Sequence, residues 1–311
     1  NGVPESVQRT EVLGWNRVTL GTSLQTLGHT FAPVSQFTGR IDGITGSSIN
    51  VAASLDGAAP ASLLTPGAQH YLEILTGQHA GHRIELDATA TSASSSALIH
   101  DSVSSRNTLT GQLPATLSGA RFALHRHLTL GELAERSLFT STNSPSTADR
   151  VVMYNSATST TTTYWLFTNG GNPRWVRQGD GTLANQGSLV IEPGRGLFMH
   201  PRAKAVNLVI RGQVRAHPFA MPLVLGTTLC AAGWPMNLSP TAHNMLLSAG
   251  FTGSNTASKA DQIQCWNGDV NPATQTYTGY FLLRAGALLQ WVRTGDSTLQ
   301  NQNLNQLLRA H

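Results

Sequence analysis

Apolar and polar residues alternate over short stretches of this chain, and turn-forming residues interrupt the alternation every few positions. Residues 37–44 and 48–51 alternate on the two sides of a Gly-Ser pair, which is typical of a β-hairpin. Residues 70–75 and 82–86 flank a Gly-containing turn in the same manner. Short strands separated by turns predict an all-β fold of antiparallel sandwich-like or barrel-like units, with a few short helices.

The chain also contains an internal repeat. Residues 146–155 align with residues 258–267, and both segments carry an Ala-Asp pair before a predicted strand. Residues 175–186 align with residues 291–302, with nine identities in twelve positions. Chance does not produce agreement of this extent, so we interpret the two segments as copies of one structural unit.

Each copy predicts the same order of elements. A short helix comes first, because Thr129 and Glu132 form a capping-box pattern and Ser239-Pro240 is typical of a helix start. Three strands follow, and the last of them carries a Trp-Val-Arg motif. The first two strands are expected at 150–155 and 163–168 in one copy, and at 262–267 and 279–284 in the other.

These elements divide the chain into three expected regions. They are an N-terminal β domain over residues 1–125, a first repeat unit over 126–225 and a second repeat unit over 226–311. Segment 223–229 also echoes segment 18–24, so the strand that enters the first unit is expected to recur before the second.

The composition bears on the class of protein. Charged residues make up 12% of the chain, where about 25% is usual, and Thr, Ser, Asn, Gln and Gly take their place. A surface of neutral hydroxyls and amides packs against an identical surface at a low desolvation cost, which is typical of fibres, capsids, coats and adhesins. The net charge is +4 and the basic residues, Arg83 and Arg106 among them, are scattered singly. We therefore expect dispersed, solubilising charge and no nucleic-acid partner.

Three features bear on location. No apolar run reaches the roughly 18 residues that a bilayer requires, so no membrane span is expected. The chain begins at Asn1 rather than Met, which removal of a signal peptide or truncation would explain, and we expect a secreted protein at the cell surface. Cys230 and Cys265 fit either one disulfide in an oxidising compartment or two buried thiols, and the residues alone favour neither.

Four acidic residues recur between the copies, Asp149 with Asp261 and Asp180 with Asp296. Paired carboxylates are the catalytic groups of most glycoside hydrolases. Equivalent residues sit in separate copies, however, and Asp commonly caps backbone amides at turns, so we expect a structural role. Calcium binding at the Gly-Asp turns is the weaker alternative, because the acidic residues are not clustered as a calcium loop requires.

Histidine is the other candidate for chemistry. His125 and His127 lie on one face of an expected strand, with His79, His82 and His100 upstream. A zinc site needs a third converging ligand, and the sequence offers no Cys or carboxylate at metal-ligand spacing, so we expect polar strand residues. Since nucleophile motifs and phosphate-binding glycine loops are also lacking, we expect no enzyme, no metal and no cofactor.

The tryptophans bear on the main alternative function. Trp175 and Trp291 occupy equivalent positions and are expected to fill the core of each copy, since an indole buries a large apolar area. The remaining rings are candidates for stacking on sugars: Trp15, Trp165, Trp234 and Trp266. A monomeric adhesin that binds surface polysaccharide is therefore the alternative function.

Several segments resemble a family of secreted, uncharacterised repeat proteins that is expanded into many paralogues in some environmental bacteria. The segments that carry the resemblance are 70–77, 80–81 and 121–133, together with the Ala-Asp and Trp-Val-Arg motifs of the repeat. The likeness runs over most of the chain. It implies export and a non-catalytic role at the surface, and it supplies no functional residues because the family has no established activity.

The second copy departs from the family pattern near its end. In the first copy, residues 185–186 are followed by the apolar segment 189–199, whereas the second copy stops at His311, which aligns with Arg195. A trimmed last strand, or closure of the sheet by residues 304–311, are the plainer interpretations. The sharper one is an unpaired sheet edge, which templates the addition of a strand from another chain.

We expect the N-terminal residues 1–13 to donate that strand. Identical subunits would then join head to tail into a filament, a fimbria-like fibre or a surface layer. The apolar residues of the expected donor strand are Val3, Val7, Val12 and Leu13.

Overall fold

The computed structural model describes residues 13–28, 32–51, 59–91, 97–109, 111–215, 217–230, 245, 250–266 and 276–302. In these ranges regular structure is nearly all β, as the sequence predicts, and the paired strands run antiparallel. The strands are β1 (Leu13–Leu20), β2 (Gln25–Gly28), β3 (Phe37–Thr45), β4 (Ser48–Val51), β5 (His70–Ile74), β6 (Arg83–Leu86), β7 (Ala97–Ile99), β8 (Arg121–Arg126), β9 (Leu128–Thr129), β10 (Arg150–Asn155), β11 (Thr160–Phe167), β12 (Arg174–Arg177), β13 (Val190–Ile191), β14 (Gly196–His200), β15 (Val206–Gln213), β16 (Gln262–Trp266), β17 (Tyr277–Ala285) and β18 (Leu288–Arg293). The helical elements are the α-helix α1 (Leu130–Leu133) and the 3₁₀ turns Pro60–Leu63, Ala115–Leu117 and Ala257–Lys259.

The N-terminal sheet has six strands in the order β6-β5-β8-β3-β4-β7. The predicted hairpin forms between β3 and β4: Thr45 pairs with Ser48, and Gly46 takes a φ of +60°, which glycine adopts without strain. Because side chains alternate between the faces of a strand, one face of this sheet supplies an apolar core. That core includes Ile41, Ile49, Leu72, Ile84, Leu98 and Phe122.

The first repeat unit forms two larger sheets around a shared core, with a third, two-stranded sheet of β9 and β13 beside them. One sheet has the order β12-β11-β10-β14-β2, and the other consists of β1 and β15. Leu20 of β1 and Leu27 of β2 pack in this core together with Trp175 of β12. The expected boundary at residue 125 therefore separates β1 and β2 from the unit that they complete.

The second repeat unit forms a sheet with the order β16-β17-β18, which corresponds to β10-β11-β12 of the first. The register corresponds as well, because Leu166 pairs with Trp175 and Leu282 pairs with Trp291. All four expected repeat strands overlap these observed strands.

The predicted helix start at Thr129 is confirmed, since the Thr129 N–H donates to Oε2 of Glu132 at 2.9 Å and α1 follows. The corresponding start at Ser239 lies outside the described residues. Residues 223–229 contain no strand, and Leu225 is fully exposed. Residues 18–20 of the echoed segment belong to β1, because β15 pairs with them. Beside residues 223–229 the described pairing is the hydrogen bond from the Gly196 N–H of β14 to the carbonyl oxygen of Leu229, at 3.2 Å.

After β15 the chain crosses to the N-terminal sheet. We call Arg215 and residues 217–220 the crossing segment. Its last residue donates its N–H to the carbonyl oxygen of Gly81 at 3.0 Å. Gly81 has a φ of +89°, and a Cβ atom there would lie 2.6 Å from the carbonyl oxygen of Pro218. Both the backbone conformation and the close approach therefore require glycine at this position.

We predict that Gly81→Ala lowers the free energy of unfolding by roughly 3 kcal/mol, because left-handed strain and a backbone clash add together. Gly77→Ala is the matched control: its φ is +83° and the added Cβ would meet open space, so a loss of about 1 kcal/mol is expected. Urea unfolding of both variants measures the difference. Equal losses would show that the crossing segment does not pack on Gly81.

Candidate functional site

Asp149 and Asp261 cap the same backbone group in the two repeat units. Oδ2 of Asp149 accepts a hydrogen bond from the Thr140 N–H at 2.7 Å, and Oδ2 of Asp261 accepts one from the Thr252 N–H at 2.7 Å. In the first unit Oδ1 of Asp149 also accepts from the Arg202 N–H, at 2.6 Å, just after β14 ends. Asp149 therefore joins three segments, whereas the described contacts of Asp261 join two.

Trp175 and Trp291 also make matching contacts. Both indoles are fully buried, and their Nε1–H groups donate to the carbonyl oxygens of Ala134 and Met245, each at 2.8 Å. A phenylalanine ring lies edge-on to the indole in each unit. Each indole fills the core of its unit and is fixed in orientation by one hydrogen bond.

Asp180 and Asp296 are held within their own turns. Oδ1 of Asp180 accepts from the N–H and Oγ1–H of Thr182 at 2.9 and 2.7 Å. Oδ1 of Asp296 accepts from the same groups of Thr298 at 2.9 and 2.6 Å. These hydrogen bonds lower the pKa of both carboxyl groups below the ordinary value. This is the turn chemistry that the sequence favours for these positions.

The two units differ in what lies beside their first strand. Strand β10 pairs with β11 on one side and with β14 on the other, while in the described part of the chain β16 pairs only with β17. Burial follows this difference, since Asp149 and Val151 are fully buried, Asp261 is exposed and Ile263 is half-buried. We call the side of β16 that has no described partner strand, together with Oδ1 of Asp261, the open edge.

The expected donor residues fall in different places. Val3, Val7 and Val12 lie outside the described residues. Leu13 is the first residue of β1 and pairs with Gln213. A donor strand is therefore confined to residues 1–12.

Cys230 and Cys265 are free thiols in this structure. Burial raises the pKa of the Cys265 thiol to about 11, and the neighbouring Cys230 adds to the increase. A thiol with such a pKa is almost wholly protonated at neutral pH and is a poor nucleophile.

A group of buried ionisable side chains covers the face of the N-terminal sheet opposite its apolar core. We call this group the ionic cluster. Its members come from β5, β6, β8, the residue that follows β8 and the crossing segment, and each is at most 2% exposed. They are Tyr71, Glu73, Arg83, Glu85, His125, His127 and Arg215.

Glu73 is the carboxylate at the centre of the ionic cluster. Its Oε1 accepts from Nε–H of Arg215 at 2.9 Å, and its Oε2 lies 3.5 Å from Nε2 of His125. Burial alone would raise the pKa of Glu73, but Arg215, His125 and His217 together lower it below the ordinary value. For His125, burial lowers the pKa to about 4, and its Nδ1–H donates to the carbonyl oxygen of Pro33 at 2.7 Å.

Glu85 is the second carboxylate of the ionic cluster. It accepts from Nε2–H of His127 at 2.9 Å and from Nε–H of Arg106 at 3.2 Å. Burial would raise the pKa of Glu85, but these two partners lower it below the ordinary value. Arg106 was expected to be a scattered surface charge, and the structure instead places it in an ion pair with a buried carboxylate.

The crossing segment inserts Phe219 between two guanidinium groups. Cζ of Arg215 lies 4.2 Å and Cζ of Arg83 lies 5.3 Å from the centre of the ring. Nη1–H of Arg83 also donates to the carbonyl oxygen of Pro193 at 3.3 Å. The expectation of solubilising charge is therefore wrong for Arg83, which is 1% exposed because two later segments cover it.

The ionic cluster holds parts of the fold together. Since Glu73 and Arg215 have no exposed side-chain surface, a substrate cannot reach their charges. The ion pair instead fixes the crossing segment on the N-terminal sheet. Its cost in desolvation is offset by the hydrogen bonds and by the cation–π contacts with Phe219.

The upstream histidines bind neighbouring hydroxyls, His79 with Thr116 and His82 with Thr108. No three His, Cys, Asp or Glu side chains of the described ranges converge closely enough to hold a metal ion. In the same ranges, no helix combines the length and the apolar character needed to cross a membrane.

The remaining tryptophans differ in exposure. Trp15 is 70% exposed on β1, and Trp165 is 4% exposed. Trp234 lies outside the described residues, and of Trp266 only the position in β16 is described. Trp15 is therefore the described ring that remains open to a ligand.

Comparison with known proteins finds no matching family model, no similar curated protein and no similar solved structure.

We predict that Arg215→Met lowers the free energy of unfolding by about 3–5 kcal/mol, because Glu73 is left buried without its guanidinium partner. Glu73→Gln in the same chain should restore part of the loss. Arg126→Met is the matched control: Arg126 pairs with Glu132 at the surface, where an ion pair contributes less than about 1 kcal/mol. Urea unfolding gives the double-mutant cycle, and a loss in Arg215→Met no larger than the control's would contradict a structural ion pair.

We predict that stability falls as the pH drops from 6.5 towards 4. Burial lowers the pKa of His70 and His125 to about 4, while both side chains have pKa values near 6.5 when unfolded. The unfolded state therefore binds more protons in this window, which gives a slope of up to about 1.4 kcal/mol per pH unit for each histidine. Urea midpoints at several pH values measure it, and a His70→Gln, His125→Asn double variant should have the shallower profile. An unchanged profile would assign the acid sensitivity to other groups.

Proposed function

We propose that this protein is a secreted structural subunit that assembles with copies of itself at the cell surface by adding a strand to the open edge. One comparison supports the proposal: β10 has a strand on each side, and β16, its counterpart, has a described strand on one side only. An unpaired row of N–H and C=O groups on an edge strand favours pairing with another chain.

The first repeat unit indicates the kind of segment that fits. Beside β10 lies β14, whose Leu197 and Met199 are buried in the core at 1% and 0% exposure. Three residues later the Arg202 N–H reaches Asp149. An extended segment with apolar side chains on one face, as Val3 and Val7 would be, followed by a free N–H for Oδ1 of Asp261, would complete the second unit in the same way.

The proposed donor is residues 1–12 of a second copy. This segment carries Val3, Val7 and Val12 and directly precedes β1, so donation would leave the pairing of β1 with β15 intact. The low share of charged residues favours contact between identical surfaces, because few charges repel each other or lose water. The resemblance to secreted repeat proteins supports export.

We predict that removing residues 1–12 gives a folded monomer, while the full chain forms polymers that electron microscopy and size-exclusion chromatography detect. A peptide with the sequence of residues 196–202 should block polymerisation, since β14 is the internal counterpart of the donor, and a scrambled peptide should not. Amide protons of β16 that point away from β17 should exchange slowly in the polymer and rapidly in the truncated monomer. Immunoelectron microscopy of producing cells tests the surface location.

Two outcomes would overturn the proposal. Polymers that form without residues 1–12 would exclude this donor. Equal protection of the β16 amides in monomer and polymer would show that the edge is closed within one chain.

A further inference from the structure

The sheet of β1 and β15 has an outward face with an unusual chemistry. We call the surface formed by Trp15, Arg17, Asn207, Val209 and Arg211 the aromatic–basic platform. Trp15 is directly opposite Arg211 in the strand register, and Arg17 is opposite Val209. The Cβ atoms of Arg17 and Arg211 therefore lie within roughly 5–8 Å of the Cβ atom of Trp15, given the spacing of neighbours on one face of a sheet.

Packing of β1 and β15 on the core of the first repeat unit fixes the backbone of the platform. Along β15, exposed and buried residues alternate, so that Val206, Leu208 and Ile210 pack in the core of the first repeat unit. Leu20 of β1 packs in the same core. Because the inner faces of both strands are anchored, the outer side chains project from a fixed backbone, which reduces the entropy lost when a ligand binds.

The charge of the platform is unbalanced. Its five lining residues include two guanidinium groups and no carboxylate. Within the described part of the chain neither Arg17 nor Arg211 has an acidic partner. Arginine is suited to binding carboxylates through parallel N–H groups, so an anionic ligand would supply the missing charges.

The exposed indole of Trp15 places a second requirement on the ligand. Trp15 is 70% exposed at one end of the platform, although a ring of this size is usually buried. A flat, apolar ring between hydrogen-bonding groups suits a ligand that has one apolar face and polar edges. A pyranose ring that carries a carboxylate meets both requirements.

Docking of a second copy on this face is disfavoured. A two-fold contact would bring the same surface of each copy together, and the four guanidinium groups of Arg17 and Arg211 would then repel one another. The platform also lies outside the three-stranded sheet that carries the open edge.

We propose that the aromatic–basic platform binds an acidic polysaccharide whose sugars carry carboxylates, such as a polyuronate. The indole of Trp15 stacks on a sugar ring, and Arg17 and Arg211 bind carboxylates of that sugar and its neighbour. The inference stands independently of assembly, because it uses residues of β1 and β15 alone.

The test is affinity electrophoresis and calorimetry of the full chain, with polygalacturonate as the probe. Fully methyl-esterified polygalacturonate is the matched neutral polymer and should not bind. Trp15→Ala should weaken binding about tenfold, and Arg17→Gln and Arg211→Gln about three- to tenfold each. Arg121→Gln is the control, since it removes an exposed guanidinium from the N-terminal sheet and should leave binding unchanged. Circular dichroism checks that each variant folds.

Three results would overturn the proposal. They are equal binding of the esterified polymer, full binding by Trp15→Ala, and tighter binding of a single-stranded oligonucleotide than of polygalacturonate. The last result would assign the platform to nucleic acid. None of these results bears on whether the full chain polymerises, so the two proposals fail separately.

Discussion

The Asp149 carboxylate determines how the first repeat unit closes. A buried carboxylate is costly unless hydrogen bonds replace its hydration, and Asp149 accepts N–H groups from two segments that are far apart in sequence. One of them follows β14 directly, so β14 and the carboxylate stabilise each other. Without β14, Oδ1 of Asp149 would lack this donor. Asp261 has no such constraint, because water can hydrate an exposed carboxylate. The same residue type therefore permits a closed unit and a unit whose first strand has a partner on one side only among the described residues.

The ionic cluster fixes the first repeat unit against the N-terminal sheet. The face that carries Glu73 and Glu85 would ordinarily face water, yet the crossing segment brings Arg215 and Phe219 over it. Burying these polar groups costs desolvation free energy, but it also favours one position of the crossing segment. A shifted crossing segment would leave Glu73 unpaired. The requirement for glycine at position 81 has the same origin, because the backbone of the crossing segment approaches it closely.

Local patterns predicted much of this fold, and contacts between distant segments account for what they missed. The β3–β4 hairpin and the capping box at Thr129 depend on neighbours in the sequence, and both predictions are confirmed. The ionic cluster was missed because alternating polar residues in β5 and β6 are the usual sign of a solvated face. The residue that buries Glu73 is Arg215, 142 positions away. No local pattern indicates such a covering segment.

The same contrast between local patterns and distant contacts applies to the candidate site. The turn role of Asp180 could be predicted, since its partner lies two residues on. Trp15 could be named only as one of four candidates, because pairing with β15 decides which ring faces outward. Segment 223–229 resembles the start of the first unit, but resemblance does not supply a partner strand. Sequence similarity between the copies therefore predicts a strand only where the partner strand in the sheet is also repeated.

Burial of charge links the two proposals. Five charged side chains are buried in the described structure, so the exposed surface is even poorer in charge than the composition indicates. Repulsion between copies is correspondingly small, which favours assembly, and exposed guanidinium groups such as those of Arg17 and Arg211 attract anions. The open edge and the aromatic–basic platform lie in different sheets, so a polymer joined at β16 would still present one platform per subunit. Because linked sites bind a long ligand far more tightly than any one of them, such a polymer would hold a polysaccharide even where a single platform binds it weakly.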